Sequence, residues 1–302
     1  MIFYLLMAVL AAFAYVLIRC YLLKKEMKRA TWQLRQLHQQ DSAKKMTISF
    51  YDRDFEELAQ EINNQIDLTK QAEAVKRSTE NELRQAISHI SHDIRTPMTS
   101  ILGYIQFLES EEMSHEEKKK YIEIIKSSAG RLKVLLEDFF ELSIIEQADY
   151  PLKMEKVSFN HLIIESLLGF YEEFNKRDIE PDIHIPEQEI MMMADPSLMK
   201  RVIENLAVNA IRYSTGNVSI QLKETDTAVQ LKISNSVGKM SELDVHQMFD
   251  RFYKADQTRT GKGTGLGLPI AKSLMEKMNG SIHAELKENH LTMICEWEAE
   301  SD

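Results

Sequence analysis

Two short segments of the chain carry residue types that could do chemistry together. The first is the run Ser91 to Pro97, Ser-His-Asp-Ile-Arg-Thr-Pro, which contains the imidazole of His92. The second begins about 170 residues later, where the run Gly263 to Leu268, Gly-Thr-Gly-Leu-Gly-Leu, opens a predicted helix. An imidazole is a nucleophile, and unhindered backbone amides at a helix start bind phosphate groups. The two segments together predict phosphoryl transfer from a nucleotide to a histidine.

The composition limits the architecture and the partners. A chain of 302 residues with 44% hydrophobic and 28% charged residues is long enough for two folded domains. Its net charge of −10 argues against a nucleic acid as partner, because phosphate backbones bind basic surfaces. Cys20 and Cys295 lie far apart in sequence, which predicts a reducing compartment and no metal site of the Cys/His kind.

An apolar segment opens the chain. Ile2 to Ile18 is an uninterrupted run of 17 apolar residues, and Cys20 to Leu23 extends it beyond Arg19. No basic region precedes this run and no small-residue cleavage site follows it, so residues 1–23 are expected to be an uncleaved membrane anchor. Residues 24–29 carry four basic side chains. The positive-inside rule then predicts a single-pass protein of the cell membrane, with the catalytic domains in the cytoplasm.

Residues 24–80 are predicted to form a helical cytoplasmic linker. Leu58, Ile62 and Ile66 recur at helical spacing, which favours a narrow dimer seam; a solvated helical spacer without a signalling role is the alternative. The pattern resembles the second helix of a HAMP-type linker, although that family's usual proline in the first helix is missing. We expect too little chain outside the membrane for an external sensor domain. The stimulus would therefore arrive through the membrane helix or through another membrane protein.

A helical hairpin is predicted next. Apolar residues recur every three or four positions from Leu83 to Leu108, and a capping pattern, Ser114 to Glu117, begins a second amphipathic helix. Such a hairpin has too little core to stand alone, and its repeat suits pairing with a second copy into a four-helix bundle. We therefore predict an all-α dimerisation domain over residues 81–150 and a homodimer.

His92 is expected to face water, because it lies about 200° around the helix from its nearest apolar neighbours. Asp93 could accept a hydrogen bond from one ring nitrogen and leave the other free to attack. Thr96 is on the same face, where its hydroxyl could orient a water molecule. His89 lies nearer the buried side and is interpreted as a flanking helix residue.

The remainder of the chain is predicted to be an α+β sandwich over residues 151–302, with helices covering one face of a mixed sheet. Met191 to Met193 are expected to fill core space. Strands are predicted at 182–185, 190–194, 218–222, 229–233 and 291–297, and helices at 159–175, 196–214 and 265–278.

Two amides within this domain have the spacing of one helical face. Asn205 and Asn209 are four residues apart, and an Asn carbonyl oxygen is a suitable ligand for Mg²⁺ while phosphates and water fill the other positions. Any helix could carry such a pair by chance, so the interpretation depends on the neighbouring motifs.

The motifs resemble those of two-component sensor histidine kinases. Ser91 to Pro97 resembles the H-box of that family, Asn205 to Ser214 its N-box, Phe249 to Lys254 its F-box, and Gly263 to Leu268 its second glycine box. The resemblance covers about residues 80–302. It implies that His92 accepts the phosphoryl group, that Asp93 assists as a base, and that Thr96 serves dephosphorylation of the partner.

The resemblance also implies a nucleotide site for ATP with Mg²⁺. Asn209 would be the metal ligand, and a mobile lid would lie at Thr258 to Lys262. Asn205 occupies the position of a glutamate base in related ATP hydrolases, and an amide there would preserve ATP for His92. The implied nucleotide contacts are Asn205, Asn209, Arg212, Tyr213, Asn235, Lys254, Arg259, Lys262, Gly263, Gly265, Leu266 and Gly267.

One segment departs from the family pattern. Where the family has Asp-x-Gly-x-Gly to bind adenine, this chain has Asn-Ser-Val-Gly-Lys at Asn235 to Lys239. The side-chain oxygen of Asn235 could still accept a hydrogen bond from the exocyclic amine of adenine. The expected protein is a kinase that passes its phosphoryl group to an aspartate of a cognate response regulator and also dephosphorylates it. An ATP-binding pseudokinase with a degenerate adenine box, and an ATP hydrolase, are the alternatives.

Overall fold

A computed structural model describes residues 1–39, 45, 47, 53–109, 113–254 and 263–298. Contacts divide the chain into two units, Met1–Gln85 and Ala86–Asp302. Helix α1 spans Ile2–Gln39, and helix α2, Arg53–Leu108, begins in the first unit and continues into the second. The predicted linker is therefore helical up to Gln39 and again from Arg53.

The first unit contains the predicted anchor. Ile2–Arg35 is a helix long and apolar enough to cross a membrane, with a mean hydropathy of 2.2 over its most apolar window and none of that window buried within the protein. On α2, Ile62 and Ile66 are half-buried, whereas Leu58 of the predicted seam is 51% exposed.

The helical hairpin of the second unit consists of α2 and α3, His115–Ile145. Ser114 caps α3 as predicted: its hydroxyl accepts a hydrogen bond from the Glu117 backbone amide, and the Glu117 carboxylate accepts one from the Ser114 amide at 3.0 Å. Much of the apolar stripe stays exposed in the single chain, as expected for a surface that a second copy would cover. Its exposed members include Leu83, Ile87, Met98, Ile105, Ile122 and Leu136.

The carboxyl-terminal part folds as the predicted α+β domain with a mixed sheet. The strands are β1 Glu155–Ser158, β2 Asp182–His184, β3 Met191–Ala194, β4 Val218–Glu224, β5 Ala228–Ser236, β6 Ser281–Lys287 and β7 His290–Glu298, and the helices are α4 Phe159–Leu168, α5 Tyr171–Lys176, α6 Pro196–Tyr213, α7 Glu242–Gln247 and α8 Gly267–Lys277. Five strands lie in the order β2-β4-β5-β7-β6, with β2 parallel to β4 and the other pairs antiparallel. Helix α6 packs against α4, α8 and β5.

Several sequence predictions were wrong in detail. The helix predicted at 159–175 is interrupted at Gly169, which ends α4. The strand predicted at 190–194 is present as β3, but it pairs only with β1, in a separate two-stranded sheet. Within it, Met192 is buried, but Met191 and Met193 are 39% and 43% exposed. Successive side chains of a strand point to opposite faces, so all three methionines could not fill the core.

Helix α6 is fixed at both ends. The Asp195 carboxylate accepts hydrogen bonds from the amides of Ser197 and Leu198 at 3.0 and 3.2 Å, and Pro196 needs no amide partner in the first turn. At the other end, the Arg177 guanidinium donates to the carbonyls of Ile211 and Arg212 at 2.9 and 2.8 Å. Because a cation is favourable at a helix carboxyl terminus, this contact holds the segment that carries the paired amides.

Candidate functional site

The imidazole of His92 projects from α2 into solvent, as predicted, with 75% of its side chain exposed. Its Nδ1 lies 3.3 Å from Oδ1 of Asp93. In the tautomer with the proton on Nδ1, Nδ1–H donates a hydrogen bond to Asp93. The lone pair of Nε2 is then free on the solvent side of the ring. The described geometry is therefore that of an accessible nitrogen nucleophile oriented by an adjacent carboxylate.

Asp93 also joins α2 to the carboxyl-terminal domain. Its Oδ2 accepts a hydrogen bond from Nζ of Lys254 at 2.7 Å. Partial burial favours the neutral acid, but the hydrogen bonds from Lys254 and His92 outweigh that effect and lower the pKa of Asp93. The carboxylate therefore stays ionised and available as an acceptor at neutral pH. Lys254, predicted as a nucleotide contact, is engaged with this carboxylate in the structure.

Replacing Lys254 should change the titration of Asp93. In Lys254→Met we expect the pKa of the Asp93 carboxyl to rise, because a charged donor is lost while the burial remains. The stability that the ion pair contributes is present above the ordinary aspartate pKa and is lost as pH falls through the lowered one. Carboxyl carbon NMR shifts across a pH titration measure this directly. An unchanged Asp93 titration would contradict the assigned contact, and Lys239→Met, at an exposed position, is the control.

Two further residues of the H-box region have definite contacts. The hydroxyl of Thr96 donates to the backbone carbonyl of His92 at 3.2 Å, and the side chain is exposed on the same face as the imidazole. The ring of His89 packs edge-on against Phe252, with the ring centroids 6.4 Å apart. His89 is therefore occupied by packing against the carboxyl-terminal domain, in line with its interpretation as a flanking residue.

One of the paired amides, Asn205, and the segment Arg212 to Tyr213 lie against the glycine run. A Cβ added to Gly267 would lie 3.2 Å from Oδ1 of Asn205, and one added to Gly263 would lie 2.7 Å from a guanidinium nitrogen of Arg212 and 3.6 Å from the hydroxyl of Tyr213. Among the described residues, Nδ2 of Asn205 is buried without a hydrogen-bond partner. A buried donor without a partner, beside the start of α8, is an environment that suits a polyphosphate.

Gly265 has the most demanding backbone of the run. Its φ is +71°, and a Cβ there would lie 2.9 Å from the backbone of Phe252. The Phe252 amide donates to the Gly265 carbonyl at 2.9 Å, which ties the F-box segment to the glycine run. Leu266 is fully buried and precedes α8, so the loop amides stand at the start of that helix.

The other predicted nucleotide contacts differ in burial, and two of them lie outside the described residues. Asn209 is half-buried one turn beyond Asn205 on α6. Asn235 ends up at the carboxyl end of β5, only 3% exposed, and its Nδ2 donates to the carbonyl of Ser236 at 3.3 Å. Arg259 and Lys262 lie outside the described residues, as does the whole of the lid predicted at Thr258 to Lys262.

Mg²⁺ would depend on amide and phosphate oxygens. The described part of the chain contains no group of three or more His, Cys, Asp or Glu side chains that could hold a metal ion. Asn209 supplies a carbonyl oxygen, which is the ligand type that Mg²⁺ prefers, and nucleotide phosphates and water can complete the octahedron. The donor set therefore fits a nucleotide-bound Mg²⁺ rather than a protein-caged one.

Sequence reasoning missed a second set of polar contacts between the helical hairpin and the carboxyl-terminal domain, made by α3. Asp138 of α3 contacts Arg201 of α6 and Thr264 of the glycine run, and Arg201 also pairs with Glu141 of α3. The only signal was the spacing of Asp138 and Glu141, three residues apart on one helical face.

Comparison with known proteins finds family models that match both the helical hairpin and the carboxyl-terminal domain. The family model of His Kinase A (phospho-acceptor) domains matches residues 82–148, and that of histidine kinase-, DNA gyrase B-, and HSP90-like ATPases matches residues 194–297.

Several known proteins are similar over most of this chain. Sensor histidine kinase YcbM of Bacillus subtilis is 28% identical over 260 residues, covering 84% of each chain. Sensor protein VanS of Enterococcus faecium is 28% identical over 81% of this chain and 65% of its own length. Sensor protein kinase WalK of Staphylococcus aureus is 31% identical over 72% of this chain and 54% of its own length. The chain thus spans between about half and five sixths of these three relatives.

Solved structures show the same fold. The crystal structure of histidine kinase ThkA, in complex with response regulator protein TrrA, superimposes with a TM-score of 0.62 at 26% identity, covering 74% of this chain and 64% of that one. Histidine kinase AdeS of Acinetobacter baumannii superimposes with a TM-score of 0.55 at 20% identity, covering 70% and 98% of the two chains. The second likeness is one of fold alone.

Proposed function

The chain belongs to the two-component sensor histidine kinases, which are ATP-dependent protein-histidine kinases, and we propose that His92 is its phosphoryl acceptor. The group would then pass to an aspartate of a separate response regulator. One observation carries the proposal: an exposed imidazole stands beside a carboxylate that the nucleotide-binding domain itself contacts through Lys254.

The geometry supports a simple transfer step. Nε2 of His92 attacks the γ-phosphorus of ATP, a nitrogen–phosphorus bond forms, and the bond to the bridging oxygen breaks to release ADP. Asp93 accepts the hydrogen bond from Nδ1–H and stabilises the positive charge that develops on the ring. Its lowered pKa keeps it ionised for this role.

The nucleotide would be bound by the carboxyl-terminal domain. The amides of Gly265, Leu266 and Gly267 at the start of α8 would bind phosphate, with Arg212 beside Gly263 as a cationic contact. Asn209 would hold Mg²⁺, which neutralises phosphate charge when bound. We propose four further nucleotide contacts: Tyr213, Asn235, Arg259 and Lys262. The amide of Asn205 cannot act as a base toward water, so ATP would be kept for transfer to His92.

The organisation we propose is a homodimeric, single-pass membrane protein. Residues 81–150 would form the dimerisation and phosphoacceptor domain and residues 151–302 the ATP-binding domain, both cytoplasmic, joined by a HAMP-like linker at 24–80 to the anchor at 1–23. The exposed apolar stripe of α2 and α3 supports pairing with a second copy, and the basic residues after the anchor support the orientation. The signal would reach the linker through the bilayer-embedded helix or another membrane protein.

Phosphotransfer from the full-length protein tests this proposal. The protein in detergent micelles is incubated with γ-labelled ATP and Mg²⁺, and candidate response regulators are then added. We expect an acid-labile, base-stable label on the kinase that moves to a regulator, and no label when EDTA removes the metal. Nucleotide binding without label would instead identify a pseudokinase, and phosphate release without labelled protein an ATP hydrolase.

Thr96 is expected to act in the reverse reaction on the regulator. In Thr96→Ala we predict that dephosphorylation of the phosphorylated regulator slows by at least about tenfold, because a hydroxyl that positions the attacking water is lost. Autophosphorylation should change by less than about twofold, since the imidazole and Asp93 remain. Thr99→Ala, at an exposed position on the same helix, is the control. Equal phosphatase rates in Thr96→Ala and the parent would remove Thr96 from this role.

A further inference from the structure

One carboxylate of α3 contacts both elements that would bind the nucleotide phosphates. The side chain of Asp138 is only 13% exposed. Its Oδ1 accepts a hydrogen bond from Arg201 at 3.0 Å, and its Oδ2 accepts one from the hydroxyl of Thr264 at 2.7 Å. Arg201 lies one turn before Asn205 on α6, and Thr264 lies inside the glycine run. Asp138 therefore spans the junction between the hairpin and the proposed phosphate site.

The contact with Thr264 occupies two hydrogen-bond donors, the Thr264 hydroxyl and the Leu266 amide, that could otherwise bind a phosphate. A threonine hydroxyl has one proton to donate, and here it is given to Asp138. The same hydroxyl accepts a hydrogen bond from the backbone amide of Leu266 at 3.3 Å. That amide stands at the start of α8, where phosphate oxygens bind. While Asp138 holds Thr264, the hydroxyl proton and this amide are both engaged within the protein.

The charge around this contact also disfavours an anion. The guanidinium of Arg201 contacts Glu141 at 2.6 Å and Glu204 at 4.0 Å in addition to Asp138. Three carboxylates thus face one guanidinium, which leaves a surplus of two negative charges. Repulsion between these carboxylates and a triphosphate should weaken nucleotide binding while α3 is docked.

We propose that Asp138 is an autoinhibitory contact that withholds the glycine run from the nucleotide while α3 is docked against α6. This inference rests on the proposed function, because it takes the glycine run to be the phosphate site. Thr264 is free to donate to a phosphate only after it leaves Asp138, so nucleotide binding and docking oppose each other. Thermodynamic linkage makes this opposition reciprocal. If docking of α3 weakens the affinity for nucleotide by some factor, bound nucleotide must weaken the docking equilibrium of α3 by the same factor.

Nucleotide titration of Asp138→Ala tests the contact. A non-hydrolysable ATP analogue with Mg²⁺ is titrated into the full-length protein in detergent micelles. We expect the Kd to fall at least about fivefold, the lower end of common coupling strengths. In autophosphorylation the KM for ATP should fall without loss of kcat, whereas simple destabilisation would not tighten binding. The matched control is Glu137→Ala, the neighbouring carboxylate, which is 62% exposed and paired only with Lys133 among the described residues.

Two further measurements keep the inference falsifiable. The gain in affinity should disappear when Asp138→Ala is combined with Thr264→Val, because the released hydroxyl is then missing. In the parent protein, the analogue should increase hydrogen exchange over residues 135–145 of α3. Unchanged or weaker binding by Asp138→Ala, or unchanged exchange in parent protein saturated with analogue, overturns the autoinhibitory contact. A parent that binds no nucleotide overturns the proposed function instead.

Discussion

His92→Gln should lose its phosphoryl label almost completely. A glutamine of similar reach has no nucleophilic nitrogen, because its amide lone pair is delocalised into the carbonyl. We expect the initial rate of labelling from γ-labelled ATP to fall by at least about a thousandfold, on the scale seen when the residue that forms a covalent intermediate is removed. Since the imidazole is 75% exposed and supports no core packing, the folded structure should be unchanged.

The neighbouring histidine supplies the matched comparison. His89 lies three residues earlier on the same helix and packs against Phe252. The variant His89→Gln should keep a labelled His92, and its nucleotide affinity and melting temperature can be compared with those of His92→Gln. A labelled His92→Gln together with an unlabelled His89→Gln would transfer the acceptor role to His89.

Gly265→Ala should weaken nucleotide binding and leave the acceptor histidine intact. The residue has a φ of +71°, where a side chain costs on the order of 1–3 kcal/mol, and the added Cβ would lie 2.9 Å from the Phe252 backbone. A backbone atom cannot move aside as a flexible side chain can, so the loop must shift. Because 1.4 kcal/mol corresponds to a factor of ten in affinity, we expect ATP binding to weaken at least about tenfold, with a matching loss of autophosphorylation at low ATP.

The control for this change is Gly130→Ala. Gly130 is exposed within α3, and an added Cβ meets nothing within 4 Å. Alanine is the better helix former, so this variant should gain roughly 0.5–1 kcal/mol of stability and keep its ATP affinity. Thermal melting separates loss of the site from loss of the fold. Parent-like ATP affinity in Gly265→Ala would show that the glycine run does not form the phosphate site.

The features that the sequence predicted correctly are those with local signals. The apolar stripe of α2, the Ser114 cap of α3 and the exposure of His92 all depend on residues within two helical turns of one another. The mixed sheet followed from short β-like runs, and the approach of Asn205 to the glycine run followed from motifs whose order was informative. Such signals survive in a single sequence because periodicity and capping are imposed by the helix itself.

The contacts that were missed join polar residues far apart in the chain. Thr264 is 126 positions from Asp138, and Lys254 is 161 from Asp93. A surface aspartate has the same local pattern whether it faces water or a second domain, so nothing in the sequence distinguishes the two. Arg177, which holds the carboxyl end of α6, is hidden for the same reason. The exposed Met191 and Met193 show the converse error, where an apolar run alone was taken to indicate a core.

Site mapping of the phosphoryl group tests the central claim most directly. The full-length protein is labelled with Mg²⁺ and ATP, digested under alkaline conditions that preserve phosphohistidine, and sequenced by mass spectrometry. We predict a phosphoryl group on the imidazole of His92 and on no other residue of the Ser91 to Pro97 segment. A modification on His89, on a serine or threonine, or on no residue at all while ATP is bound would contradict this account of the protein.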